Sequence, residues 1–316
     1  MKLHTIATIA LALSFLAPPC QAQVPRAARD HYNRGVSLYQ KGDLEGAIAA
    51  FTKAIEISSR LDNRSRAEDW KGKMGFSDAA ANFDKVGVLD PLTAMAYANR
   101  GLARFVQGDL DLAISDCDRA IAINPRLTDA YNNRAIARYT RKDYDGALVD
   151  LDRANAIDPR DAHVYNNRGN IYTEKQDIDR AIAEFDRAIA LNPRLTEAYI
   201  NRGLTRRKKG DADGALKDFD KAISLNPRFA SAYYGRGVVM WDKGELDRAI
   251  NEFNRSIELA PRYAPAYANR GLAFLLQGKD AEAEQDFERA LALDPTLKPE
   301  IEERVEQVKK RRQTKR

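Results

Sequence analysis

Residues 196–229 read TEAYINRGLTRRKKGDADGALKDFDKAISLNPRF, and most of the chain is a succession of variants of this 34-residue stretch. With Thr196 as position 1, Tyr199, Gly203 and Arg206 occupy positions 4, 8 and 11, a spacing that makes one stripe on an α-helix. Lys209-Gly210-Asp211 interrupts it: glycine suits a helix end, and aspartate can cap the next helix. Ala215, Phe219 and Ala222 then form a second stripe, which Asn226-Pro227 ends because a residue before proline is pushed out of the helical region. One period is a pair of helices, A and B.

Outward from this stretch, prolines at 91, 125, 159, 193, 227, 261 and 295 step by 34 residues with no insertion. Such a period replaces the two or three globular domains that 316 residues would otherwise suggest. Helix A recurs as Tyr165, Gly169, Tyr172 and as Tyr267, Gly271, Phe274. Helix B recurs as Ala181, Phe185, Ala188, as Ala249, Phe253, Ser256, and as Ala283, Phe287, Ala290. Gly or Ala at position 8 leaves room for a neighbouring helix, at a cost of about 1 kcal/mol in helix propensity for glycine.

An aromatic at 4, Gly or Ala at 8, Ala at 20, Phe at 24, Ala at 27 and Pro at 32 resemble the tetratricopeptide repeat family over six consecutive copies from 94 to 297, with Cys117 and Leu151 at 24 and Ser256 at 27 as the departures. The array spans 28–297, as copies 28–59, 60–93, 94–127, 128–161, 162–195, 196–229, 230–263 and 264–297. The first keeps Gly35, Ala47, Phe51 and Ala54 but has Ser59 for proline. The second keeps Ala79, Phe83 and Pro91 but is degenerate in helix A, so an irregular or mobile segment is expected from Asp62 to Gly75, anchored by Trp70. Residues 298–312 read as a capping helix with Ile301, Val305 and Val308 on one face, and 313–316 as the end of a basic tail. The resemblance implies an all-α fold: a right-handed superhelical α-solenoid of antiparallel helix pairs with a C-terminal capping helix.

Residues 1–22, with Lys2, an apolar run from Ile6 to Leu16 and the end Cys20-Gln21-Ala22, read as a cleaved signal peptide. The expected location is extracytoplasmic, in the style of a bacterial periplasmic protein. Pro19 argues against lipid anchoring at Cys20. After cleavage Cys117 is the one cysteine left, so no disulfide can form within the chain. The 51 basic residues fall to 44 against 46 acidic ones once Lys2 and six tail cations are set aside. The array is therefore near neutral, which argues against nucleic acid as a partner.

No catalytic constellation, cofactor motif or metal site is apparent, and a non-enzyme is expected. His4, His31 and His163 stand apart, and no phosphate-binding glycine loop or nucleophile elbow appears. Arginine recurs at position 7 in all eight copies, from Arg34 to Arg270, with acids at 23 and 25 such as Asp150 and Asp152 to pair with it. Each pair, if exposed, would contribute about 0–1 kcal/mol.

The resemblance places positions 2, 5, 6, 9, 12 and 13 of helix A on a concave groove. Asparagine at position 6 (Asn99, Asn133, Asn167, Asn201, Asn269, and Asn33 in the first copy) can bond either an extended peptide or a neighbouring helix. Phe105, Tyr139, Tyr234 and Trp241 are the candidate apolar contacts. Leu272, Leu275 and Leu276 can serve the groove or the capping helix. The carboxylate clamp that some family members use for chaperone tails is missing, since position 5 holds Tyr32, Arg64, Ala98, Asn132, Asn166, Ile200, Tyr234 and Ala268. The expected function is an exported scaffold binding a protein or peptide along the groove. The alternatives are an adaptor subunit of an enzyme complex, or tethering to anionic envelope polymers or lipid through Lys309, Lys310, Arg311, Arg312, Lys315 and Arg316.

Overall fold

The computed structural model describes residues 25–69 and 91–314, leaving aside the side chains of 60–69, 311, 313 and 314. The expected signal peptide, Trp70, and helix B of the second copy lie outside the described residues. All the regular structure described is helical: α1 (Arg26–Gln40), α2 (Leu44–Asp69), α3 (Pro91–Gln107), α4 (Leu110–Ile123), α5 (Thr128–Thr140), α6 (Tyr144–Ile157), α7 (Ala162–Glu174), α8 (Ile178–Leu191), α9 (Thr196–Lys209), α10 (Ala212–Leu225), α11 (Ala230–Asp242), α12 (Leu246–Leu259), α13 (Ala264–Leu276), α14 (Asp280–Leu293) and α15 (Lys298–Thr314). Two compact units divide within α7, one ending at Ile171 and the other starting at Tyr172. Within each unit, helices A and B pair and then stack on the next pair.

Both capping devices read from the sequence are present. Position 15, between A and B, has positive φ in every described copy: Gly42, Gly108, Gly210, Gly244 and Gly278, and also Lys142 and Gln176. At position 16 the carboxylates of Asp43, Asp143, Asp177 and Asp211 accept backbone N–H bonds from helix B at 2.9–3.3 Å.

Helices A and B meet where position 8 faces position 24. A Cβ on Gly237 would lie 2.8 Å from the Phe253 ring, and one on Gly203 3.1 Å from Phe219. The fourth copy shows the reciprocal adjustment, since Ala135 at position 8 shares a core with Leu151. Copy 7 also departs from asparagine at position 6. A Cβ on Gly235 would lie 2.4 Å from Phe219, so the preceding copy's ring occupies that space.

The arginine ladder is built more deeply than its sequence suggested. The position-23 acids that pair with it are buried: Asp116, Asp150, Asp218 and Asp286. Arg134 reaches both oxygens of Asp150 at 2.5 and 2.9 Å, and Arg138 adds a bond at 2.8 Å. The remaining Arg134 nitrogen bonds Asp118, position 25 of the copy before, at 2.6 Å. Burial alone would lower the Arg134 pKa, but the bonds to Asp150 and Asp118 outweigh it and raise it. In unit 2, Arg202 repeats the arrangement with Asp218 and Asp186.

This register also reveals how the first copy continues. Arg100, of the third copy, bonds Thr52 at 3.0 Å, and Thr52 is position 25 of the first copy. Asn99 donates to the Tyr32 hydroxyl at 3.0 Å, again joining copy three to copy one. The third copy thus docks on the first as consecutive copies dock on each other. Helix α2 passes the expected end of its copy at Ser59 without a break and runs to Asp69, so 62–69, expected to be irregular, are helical.

Two stability predictions follow from these contacts. Asp150→Ala strands two guanidiniums against buried surface and should cost about 2–3 kcal/mol in urea unfolding, against about 0–1 for the exposed Asp118→Ala; equal costs would refute the buried-clasp reading. Gly235→Asn, which restores the commonest residue at position 6, should destabilise by about 1–3 kcal/mol through overpacking on Phe219, and a gain in melting temperature would contradict it.

Candidate functional site

In unit 1 the position-6 asparagines face the preceding copy. Asn133 Nδ2 reaches the Ala98 carbonyl at 3.5 Å, and Asn167 Nδ2 donates to Asn132 Oδ1 at 2.8 Å. In unit 2, Asn269 donates to the Tyr234 hydroxyl at 2.7 Å and accepts from Arg304 at 2.7 Å. Asn201 is buried as well, whereas Asn33, with no described copy before it, is exposed. Burial therefore follows the presence of a preceding copy. The bonds of Asn99, Asn133, Asn167 and Asn269 are made inside the array, to a tyrosine hydroxyl, a carbonyl or another amide of a neighbouring copy, where a lost bond would cost about 1–3 kcal/mol.

The aromatic candidates divide. Phe105, expected in the groove, is 4% exposed and packs with Ala113, Ile136 and Ala137, closing the seam between the third and fourth copies. Tyr234 stacks on Phe253, meets the Tyr263 ring edge-on at 5.1 Å, and spends its hydroxyl on Asn269. Burial is the main cause of its raised pKa. Phe105 is corrected from a groove contact to a packing residue, because its ring is enclosed by the next helix A; Tyr234 keeps part of its ring outside the packing while its hydroxyl is spent. Tyr139 and Trp241 remain half-exposed. Tyr139 borders a gap of about 10 Å³ with Asn167, Asn170 and Ile171, room for one water at most. The Asn170 Nδ2 donor is buried there without a hydrogen-bond partner. The sequence singled out position 6 for polar contacts; the unspent amide stands at position 9.

At the C-terminal end, α15 packs on α13, burying Ile301 and Val308 against Ala268, Leu272 and Leu275. Leu272 and Leu275 thus belong to the cap. Trp241 and Leu276 border the same cluster with part of each side chain outside it. Arg312 bonds Asp280 at 2.6 Å, which removes it from the set of tail cations open to an anionic surface; Lys315 and Arg316 lie outside the described residues. Arg304 stands 34 residues after Arg270 and so continues the position-7 series, a residue that the reading of the sequence missed although the period itself points to it.

His31 is half-buried and His163 exposed. Among the described residues no group of three or more His, Cys, Asp or Glu could hold a metal ion. None of the described helices is long and apolar enough to cross a membrane.

Tetratricopeptide repeat family models match residues 28–60, 94–127, 200–264 and 264–297, and a further TPR repeat model matches 169–210. The chain belongs to the tetratricopeptide repeat family. Among solved structures, a tetratricopeptide repeat protein of Parabacteroides merdae is 20% identical, with 90% of this chain and 99% of that one covered and a TM-score of 0.63. The APC/C hetero-tetramer Cut9–Hcn1 is 16% identical over 87% of this chain and 54% of that one, also at 0.63. The pilF protein of Pseudomonas aeruginosa is 22% identical over 65% and 90%, at 0.52. At these identities the likeness establishes the fold alone. No curated protein matches the chain. The tetratricopeptide repeat fold supports a protein–protein interaction scaffold.

Asn167→Ala tests the role assigned to the repeat's position 6: it should lower stability by about 1–2 kcal/mol. A variant with unchanged stability would show that the Asn167–Asn132 bond contributes nothing to joining the copies.

Proposed function

We propose that this chain is an exported scaffold that holds a polypeptide partner against the helix A faces of its repeats. The observation that carries this reading is the set of half-exposed or exposed apolar side chains at groove positions: Val106 and Tyr139 in unit 1, and Val238, Trp241 and Leu276 in unit 2. The 34-residue period demands none of them, since the core slots at 8, 20, 24 and 27 are already filled, and together they offer apolar area to a partner. Asn170, polar and unpartnered at position 9, adds a donor suited to a main-chain carbonyl once a ligand opens its gap. Export rests on residues 1–22, whose charged start, apolar run and small-residue end have the form of a signal peptide, and it places the partner outside the cytoplasm.

Affinity capture from an extracytoplasmic extract tests the reading, comparing wild type with a Tyr139→Ala, Trp241→Ala double variant of matched thermal stability. A polypeptide retained by wild type and lost by the variant is the expected result. Retention by both would exclude the helix A faces as the binding surface, and a precursor left unshortened in the cytoplasm would exclude export.

A further inference from the structure

Each helix B ends on a recurring segment whose charges the array does not use. In unit 2, positions 26–33 read RAIALNPR (187–194), KAISLNPR (221–228) and RSIELAPR (255–262). Six basic residues meet one acid, Glu258, and Arg255 bonds it at 2.7 Å. The neighbouring position-25 acids are spent elsewhere, Asp186 on Arg202 at 2.5 Å and Asp220 on Arg236 at 2.7 Å. Arg194, Lys221, Arg228 and Arg262 are exposed and form no ion pair among the described residues. Glu197 follows Arg194 by three residues, at groove position 2, whereas the four residues after Arg228 and after Arg262 include no acid.

The turn that carries the position-33 arginine is fixed from both sides. Asn192 and Asn226 accept the backbone N–H of Arg194 and Arg228, each at 3.1 Å. From the next helix A, the hydroxyls of Tyr199, Tyr233 and Tyr267 donate to the carbonyls of Pro193, Pro227 and Pro261 at 3.2–3.3 Å. Arg255 lies over the Tyr233 ring at 5.9 Å, which brings position 26 of one copy beside position 33 of the copy before. The cations thus form a row along the B-to-A turns, held by bonds that leave the guanidiniums of Arg194 and Arg228 unused. Neither helix dipole accounts for arginine at 33, since it stands between the C-terminus of B and the N-terminus of the next A. The row has no apolar bulk, with Ala190, Ser224 and Glu258 at position 29. Its tyrosine rings already carry guanidiniums of the array, Arg202, Arg236 and Arg270, at 5.5–5.6 Å.

We propose that the B-to-A turns of unit 2 bind an acidic polysaccharide. Its carboxylates meet the forked guanidiniums of Arg194, Arg228 and Arg262, with Lys221 beside them. Such a polymer carries charge at intervals and needs no apolar pocket. An acidic polypeptide or a bilayer would gain from apolar contacts that the row does not offer, and a nucleic acid from rings free to stack. The site lies on the turns and not on the helix A faces, so it stands or falls independently of the groove.

Labelled polygalacturonate titrated with the full chain at low salt tests this. Wild type should bind, and Arg194→Gln, Arg228→Gln and Arg262→Gln together should weaken binding about tenfold, as for the loss of three exposed ion pairs. About 0.5 M salt should abolish it. The melting temperature of this triple variant should match wild type, because these side chains pair with nothing in the array. Lys208→Gln with Lys309→Gln and Lys310→Gln removes the same charge elsewhere and should leave binding unchanged. Equal weakening by the two triple variants would reduce the effect to overall charge and overturn the proposal. Absence of polymer binding would overturn it as well. If polyglutamate or phosphatidylglycerol vesicles bind through the same arginines while polygalacturonate does not, the occupant is a polypeptide or a membrane and the proposal fails.

Discussion

A carboxylate removed from water needs its charge answered at close range, and this constraint organises the array. Asp150 is 1% exposed, and its two oxygens are held by guanidiniums from two turns of the helix A before it. Arg134 has a third nitrogen to spare, which it gives to the copy before. The same side chain thus joins A to B and one copy to the next, so geometry that satisfies the buried charge also sets the stacking distance. The Tyr131 ring, 5.6 Å from the Arg134 guanidinium, adds a further constraint on where the charge can sit.

A second series of contacts runs along the A–B turns. Position 14 of one copy meets position 18 of the copy before: Arg141 with Asp111, Lys209 with Asp179, Lys243 with Asp213, Gln277 with Asp247. These are exposed and individually weak. Their recurrence fits a body whose stability is a sum of nearest-neighbour terms, since each contact couples only adjacent copies.

The period made the helix pairs, their caps and the position-7 pairing legible in the sequence, because each depends on residues at fixed offsets within one or two copies. Burial at the seams between copies was less so. Phe105 and Trp241 share position 12, yet one closes a seam while the other stays half-open, and the difference depends on what the following helix A presents to each. Asparagine at position 6 allowed two partners in the sequence. Only the placement of Tyr32, Asn132 and Tyr234, each at position 5 of a neighbour, shows where those amides are spent. Helix α2 was misread near its end because a departure such as Ser59 matters to a repeat pattern but not to an α-helix, which serine can continue.

The docking of Asn99 and Arg100 onto Tyr32 and Thr52 separates two kinds of counting. Along the chain, the first and third copies are two periods apart; in space they are adjacent rungs. A ligand measures rungs. The footprint of an extended polypeptide on unit 1 should therefore be shorter by one repeat than the number of copies in the sequence suggests, and a shift of binding register by one copy there would carry it across 66 residues of chain, from Asn33 to Asn99.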